Sequence, residues 1–538
     1  MPLIVCLAHL LTFASLSAQV SEKADTLHNM TLERKVAQMF MVSFFGSQLT
    51  ETEAAFLREA QPGAVVLFGR NVVSPEQVTA LTNSYQQEIM SRGGLPLLIA
   101  VDQEGGPIQH LQEGFTRFPA PMLLTAAQDG ELAYDVGAAM AAEMRAVGVN
   151  MNLAPVGDLL TNAFNPIIDR RAFGSDPKMV APILMNFIRG LQDNGVVATV
   201  KHFPGHGDTS EDSHLELPAI HHDRRRLDSL ELRPFVGAFE AGVSTVMVAH
   251  IWFSAFDAEA LPASLSVNVV EGLLRQELGY DGLIMTDALD MDAVDTVYAP
   301  GEASIRAIEA GNDVIAIGAH VGTGRIGQAI SDVVAAVRAG RIALGRIDDS
   351  VARILRVKQQ YGVLDWSPLD PDVASDRLDL SAHDRLVTRL FERGVTALDP
   401  QDMIPVQGKV LFVYPGTRPR IRRECDRRVP GHEFVSVSGS PTDGELTWAS
   451  EAAQEADTVA VFTLNNIDDP RQIQLVEAMP RHKTILVTLW NPIEMFIYPE
   501  LAAYVQGYSP MSRATKVICE VLHGERQAFG SMPLGFAS

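Results

Sequence analysis

The sequence predicts an α/β protein: a (β/α)8 TIM-type barrel followed by a smaller α/β sandwich domain with a mainly parallel sheet. Three observations carry this. From Met39 to about Gly362, short β-rich apolar runs alternate with longer amphipathic ones, as when each strand is followed by a helix. Eight such units fit a closed barrel better than an open sheet. Beyond a polar, Pro- and Asp-rich stretch that starts at Asp365, the alternation resumes on a smaller scale.

The barrel strands are read as MFMVSF from Met39, AVVLF from Ala64, PLLIAV from Pro96 and VNMNLAP from Val149. VVATV from Val196, STVMVAH from Ser244, GLIMT from Gly282 and DVIAI from Asp313 complete the set. Their continuous apolar character is that of strands buried on both faces. Segments such as MVAPILMNFIRGLQDNG and VNVVEGLLRQELG read as helices that close on Gly. In the second domain VLFVY from Val410, TVAVFTL from Thr458 and KTILVTLW from Lys483 read as strands, with LTWASEAAQEAD and TKVICEVLHGE as helices. The expected division is a signal peptide over 1–18, the catalytic barrel over 19–364, a linker and connecting helix over 365–395, and the C-terminal domain over 396–538.

A chain of 538 residues exceeds what a single core usually supports, in keeping with two domains. The balance of 43 Lys+Arg against 66 Asp+Glu gives a net charge of −23, which argues against nucleic acid and anionic membranes as partners. The apolar run before Ser17-Ala18 reads as an export signal cut after about Ala18, although a positive n-region is missing. No later run is long enough to read as a membrane span. Removal of the leader leaves Cys425 and Cys519, a pair that can form one bridge in an oxidising compartment. No CxxC, HExxH or Cys/His cluster points to a metal, and no cofactor is expected.

In a parallel barrel, function collects on the loops after the C-terminal strand ends. Asp102 and Glu104 stand there in VDQEGG after the third strand, and the fourth leads into APVGD and NPIIDRRAFGSDP. KHFPGHGDTSEDSHLELP follows the fifth, with Lys201, His202, His206, Asp212 and His214. His250 ends the sixth strand and Asp287, in MTDALDM, the seventh. Scattered surface charge would not respect strand ends in this way. Such a mouth can supply a carboxylate nucleophile and, beside it, a donor and acceptor of protons. Asp287 has the position for the first role. His214 suits the second, because imidazole titrates near neutrality, with Asp212 two residues away to orient it.

KHFPGHG followed by DSH, together with VDQEGG and TDALDM, resembles glycoside hydrolase family 3 in its β-N-acetylhexosaminidase (β-N-acetylglucosaminidase) branch, from about Leu32 to Gly362. The resemblance implies a small carbohydrate substrate, with Asp102, Arg171, Lys201 and His202 binding the sugar. His206 and His250 read equally well as packed histidines. Two departures alter the pattern: Pro107-Ile108-Gln109-His110 stands where Arg-Val-x-Arg is usual, and Asp169 where Gly is usual. A phosphorylase or β-glucosidase of the same family, and a catalytically weak sugar-binding envelope protein, are the alternatives. GTGRIG from Gly322 matches GxGxxG, but IDDSVARIL stands where a dinucleotide site wants an acidic residue ending a second strand.

Overall fold

The computed structural model describes residues 27–211, 216–318, 320–428, 431–464 and 469–535. The leader expected over 1–18 and the Asp212–His214 pair lie outside the described residues.

The first sheet has eight parallel strands, β1 (Phe40–Val42), β2 (Ala64–Leu67), β3 (Leu98–Val101), β4 (Met151–Asn152), β5 (Val197–Phe203), β6 (Thr245–Val248), β7 (Leu283–Thr286) and β8 (Ile315–Ala316). Consecutive strands are neighbours, β1 also pairs with β8, and Met285 of β7 bridges to Val314 beside β8. The sheet therefore closes on itself and leaves no open edge. Every residue in these strands is buried, which explains the continuous apolar runs in the sequence. Some ladders are shorter than the runs. In VNMNLAP only Met151–Asn152 is paired as strand, and Pro155 lacks the N–H a ladder requires.

Capped helices start sharply between the strands. Ser74 accepts from Gln77 N ahead of Pro75–Met90, and Asp176 accepts from Lys178 N ahead of Pro177–Asp193. Each cap is followed by proline, whose fixed φ and missing N–H suit the first helical position. Gly322, from the GxGxxG match, is the N-cap of Thr323–Arg338 in the last barrel unit.

The second sheet runs β9-β14-β13-β12-β10-β11, from β9 (Thr396–Leu398), β10 (Val410–Pro415), β11 (Glu433–Val437), β12 (Thr458–Thr463), β13 (Thr484–Thr488) and β14 (Ala503–Gln506). All neighbours are parallel except β9 with β14. Its faces alternate with period two: Phe412, Phe462 and Val487 join the core continuous with the barrel, while Leu411, Val461 and Leu486 form a second cluster. Three of these strands have no strong sequence signal. β9 has only three residues, and β11 is an edge strand with mixed exposure. β14 carries Gln506, whose side chain accepts from Thr488 Oγ1 in the interior.

Cys425, in the helix Arg420–Asp426, is bonded to Cys519, in Ser512–Leu522, with Cα atoms 5.1 Å apart. Both residues are fully buried, and the bridge spans 94 residues. Closing so long a loop restricts the unfolded chain strongly. Replacing both cysteines by serine is expected to cost about 2–4 kcal/mol in the second domain. Calorimetry with and without reductant checks this, and an unchanged melting profile would refute it.

Candidate active site

The C-terminal mouth of the barrel holds a cavity of about 390 Å³. Asp102, Glu104, Arg171, Lys201, His202 and Asp287 line it together, although they are scattered over 186 positions of sequence, counted from 102 to 287. Among the described residues, every sugar-binding candidate and the candidate nucleophile meet at this one place.

Glu104 is the centre of the arrangement. Its side chain is 1% exposed, and the Arg171 guanidinium grips both oxygens at 2.9 Å. Lys201 Nζ lies 2.7 Å from Glu104 Oε1 and 2.5 Å from Asp102 Oδ1. Burial acts to raise the Glu104 pKa, but Arg171 and Lys201 override it and hold the carboxyl at about 2. Burial likewise opposes the charge on Lys201, and Asp102 and Glu104 reverse that effect and raise its pKa. Arg171, read from the resemblance as a sugar ligand, thus has its Nε and Nη2 committed to Glu104.

His202 follows Lys201 in β5, where the ladder shifts register between Val200 and Phe203. Its Nδ1 is 2.7 Å from Asp158 Oδ2 and its backbone N–H donates to the same carboxylate. Asp158 also accepts from His206 N at 2.6 Å. Burial acts to raise the Asp158 pKa, and His202 brings it below the usual carboxylate range. Asp158, the last residue of APVGD, therefore fixes the orientation of His202. Its signal in the sequence was its place after the fourth strand, beside the motif residues.

Asp287 sits one residue beyond β7, where its N–H donates to Val248 O and its Oδ1 accepts from Ala288 N at 2.8 Å. Burial pushes its pKa up, but His202, His250, the Ala288 N–H and Lys201 bring it down to about 2. Asp287 is therefore ionised at neutral pH, as a nucleophile must be. His250 is satisfied locally, its Nδ1 2.7 Å from Ser264 Oγ and its Nε2 3.0 Å from Ala288 O. His206 contacts Thr209 Oγ1 at 2.9 Å, and burial, followed by the neighbouring His202, drives its pKa down to about 4.

The two departures have physical consequences. His110 lines the cavity with its ring 5.6 Å from that of Phe68, and burial lowers its pKa, so a neutral imidazole occupies the place of the usual arginine. Asp169 has φ of +35°, a left-handed conformation that accounts for glycine being usual there and that a short polar side chain tolerates. Its Oδ1 accepts from Asn491 Nδ2 at 2.6 Å, and Arg170 packs over the Trp490 ring at 4.2 Å. The second domain thus braces the loop that carries Arg171. Asn491 and Trp490 lie in a segment that the sequence offers no reason to connect with the barrel.

Replacing Glu104 by Gln leaves Arg171 and Lys201 buried without their shared counter-charge, and is expected to destabilise the barrel by about 3–5 kcal/mol. Glu104 and Asp287 both fall to about 2 from ordinary values of 4.5 and 3.8. Their stabilising contribution is complete above about pH 4.5 and is lost as pH falls through about 2. Acid unfolding of Glu104→Gln should accordingly show a shallower pH dependence than that of the parent, and parallel curves would refute the assignment.

The model of the glycosyl hydrolase family 3 N-terminal domain matches residues 31–357. Beta-hexosaminidase A of Pseudoalteromonas piscicida is 32% identical over 372 residues, which cover 65% of this chain and 62% of that protein's length. A beta-hexosaminidase of Alkalilimnicola ehrlichii is 39% identical over 286 residues, covering 52% of this chain and 80% of the relative. The solved structure of a glycoside hydrolase family 3 beta-N-acetylglucosaminidase from Paenibacillus sp. is 36% identical with a TM-score of 0.82, covering 94% of this chain and 99% of that one. A match over residues 31–357, with the barrel and the ionised strand-end carboxylate inside it, places this chain in glycosyl hydrolase family 3.

Proposed function

We propose that this protein is an exo-acting, retaining β-N-acetylhexosaminidase that releases terminal β-linked N-acetylglucosamine from peptidoglycan fragments or chitin-like oligosaccharides. The observation that carries the reading is Asp287, a carboxylate held ionised at a strand end inside a cavity of about 390 Å³. The relatives named beta-hexosaminidase and beta-N-acetylglucosaminidase support the substrate class.

In the first step an Asp287 carboxylate oxygen bonds to the anomeric carbon as the glycosidic C–O bond breaks, and the leaving oxygen takes a proton from the general acid. Water then attacks that carbon, gives its proton to the same group, and frees the carboxylate. Lys201 and Asp102 offer a donor and an acceptor to the sugar hydroxyls, and Arg171, through Glu104, keeps Lys201 in place.

The proton must come from elsewhere than the two most strongly perturbed cavity carboxyls, since Glu104 and Asp287 are both ionised. His214 is the proposed acid and base, oriented by Asp212, in the segment that follows Glu211 after β5. Export to the periplasm or beyond is proposed on the apolar leader and is supported by the Cys425–Cys519 bridge.

Purified protein should release free N-acetylglucosamine, rather than its 1-phosphate, from a chromogenic β-N-acetylglucosaminide in phosphate buffer. Asp287→Ala should lower turnover by several orders of magnitude, and an activated fluorosugar should label Asp287. Labelling of another residue would sink the assignment. His214→Ala should slow substrates with poor leaving groups roughly 10²–10⁴-fold more than activated aryl glycosides. An equal loss on both would show that the imidazole transfers no proton. Amino-terminal sequencing of the protein from its host should start near Gln19, and an intact Met1 in the cytosol would overturn the export reading.

A further inference from the structure

The segment that carries Asp212 and His214 leaves the barrel after β5 and returns just before the helix Arg224–Ser229. Both of its ends are fastened. On the outgoing side, the Asn162 amide donates to Thr209 O at 3.0 Å and to Ser210 Oγ at 3.4 Å. Asn162 N donates to Gly207 O, and a Cβ on Gly207 would stand 1.6 Å from Leu159 O, so this stretch lies directly on the loop after β4. On the returning side, Ala219–Ile220 pairs in parallel with Trp252–Phe253, which follow β6. Trp252 N donates to Pro218 O at 2.9 Å, and the His221 ring meets the Trp252 ring edge-on at 5.3 Å.

A second set of contacts ties the two ends to each other. His222 Nε2 is hydrogen-bonded to Asp208 Oδ2, 14 positions away in the chain. Arg226 Nη2 lies 3.9 Å from Asp208 Oδ1 and 3.0 Å from Glu231 Oε1. Glu231 is almost wholly buried and packs against Gly205, where a Cβ would meet its own Cβ at 3.1 Å. None of these four side chains lines the substrate cavity.

Stability does not account for the pair at the centre of this arrangement. The Asp208 and His222 side chains are 21% and 32% exposed, and a pair so open to water adds little to the fold. Its effect falls on the residues it spans, because fixing the separation of two chain ends restricts the arrangements open to everything between them. Proton transfer needs the imidazole within hydrogen-bond reach of the glycosidic oxygen, and a misplacement of about 1 Å can cost roughly 10²-fold.

We propose that Asp208 and His222, with Arg226 behind them, are positioning residues that hold the His214 imidazole at the distance proton transfer requires. The inference rests on His214 as acid and base and deepens that reading.

The test uses the full chain and two substrates, an activated aryl β-N-acetylglucosaminide and a β-linked N-acetylglucosamine disaccharide with a poor leaving group. Values of kcat/KM report the first bond-breaking step on each. Asp208→Ala and His222→Ala are each expected to lose about tenfold or more on the disaccharide and little on the aryl glycoside. His222→Gln should keep most of the parent rate, since its amide N–H can donate to the same Asp208 oxygen. In a His214→Ala background, removal of Asp208 should cost nothing further on either substrate, because the group it positions is already gone. Equal losses on the two substrates, no loss on either, or a loss that multiplies that of His214→Ala would overturn the positioning role. A His222→Gln protein as impaired as His222→Ala would overturn it as well. Failure of His214→Ala itself to discriminate between the two leaving groups would instead overturn the acid and base assignment, and the positioning role with it.

Discussion

Glu104 lies almost wholly out of water, and an ionised carboxylate survives there only if cations surround it closely. That requirement organises the mouth of the barrel. Arg171 must be brought across from the long loop after β4, and Lys201 must point inward from β5. Lys201 then reaches Asp102, so three parts of the barrel are tied to a single carboxylate. The loop that delivers Arg171 is held in turn by Asn165, whose amide donates to His206 O and Thr209 Oγ1 across the gap to the β5 loop. A buried network of this kind is stable only when every member is satisfied, so its parts stand or fall together.

The same network sets the chemistry. Asp287 would carry a raised pKa if burial alone acted on it, yet the cations and imidazoles beside it keep it ionised. Asp158 performs the corresponding task for His202 by accepting from both its ring and its backbone. Asp287, Lys201 and His202 are therefore ordered by the fold itself, and such preorganisation is what stabilises charge that develops in a dry site.

The second domain takes part in this order. Asn491 binds the Asp169 carboxylate and Trp490 underlies Arg170, so the loop that supplies Arg171 is braced from outside the barrel. The C-terminal segment adds to this brace, as Ser175 N donates to Pro533 O and Gly535 N to Ser175 Oγ. Asp169, at a position where glycine is usual, has a left-handed backbone, and its carboxylate accepts from Asn491 of the other domain.

Much of this molecule is written in local pattern. Strands buried on both faces must be apolar throughout, so β1 to β8 could be read directly, and polar residues at their ends stand out because nothing in a core calls for them. That placed Asp102, Lys201, His202 and Asp287 at one mouth from sequence alone. Short or half-exposed strands such as β9 and β11 lack that signature and became visible only through their neighbours. Glu104 and Asp158 stood at the expected strand ends, but their roles depend on which cation or imidazole lies opposite, and Arg171 is 67 positions from Glu104 in the chain. The brace from Asn491 is farther still, 322 positions from Asp169. Residue type and spacing determine which groups reach the mouth; the folded chain alone decides which of them pair, because a Coulomb interaction depends on distance in space and not along the sequence.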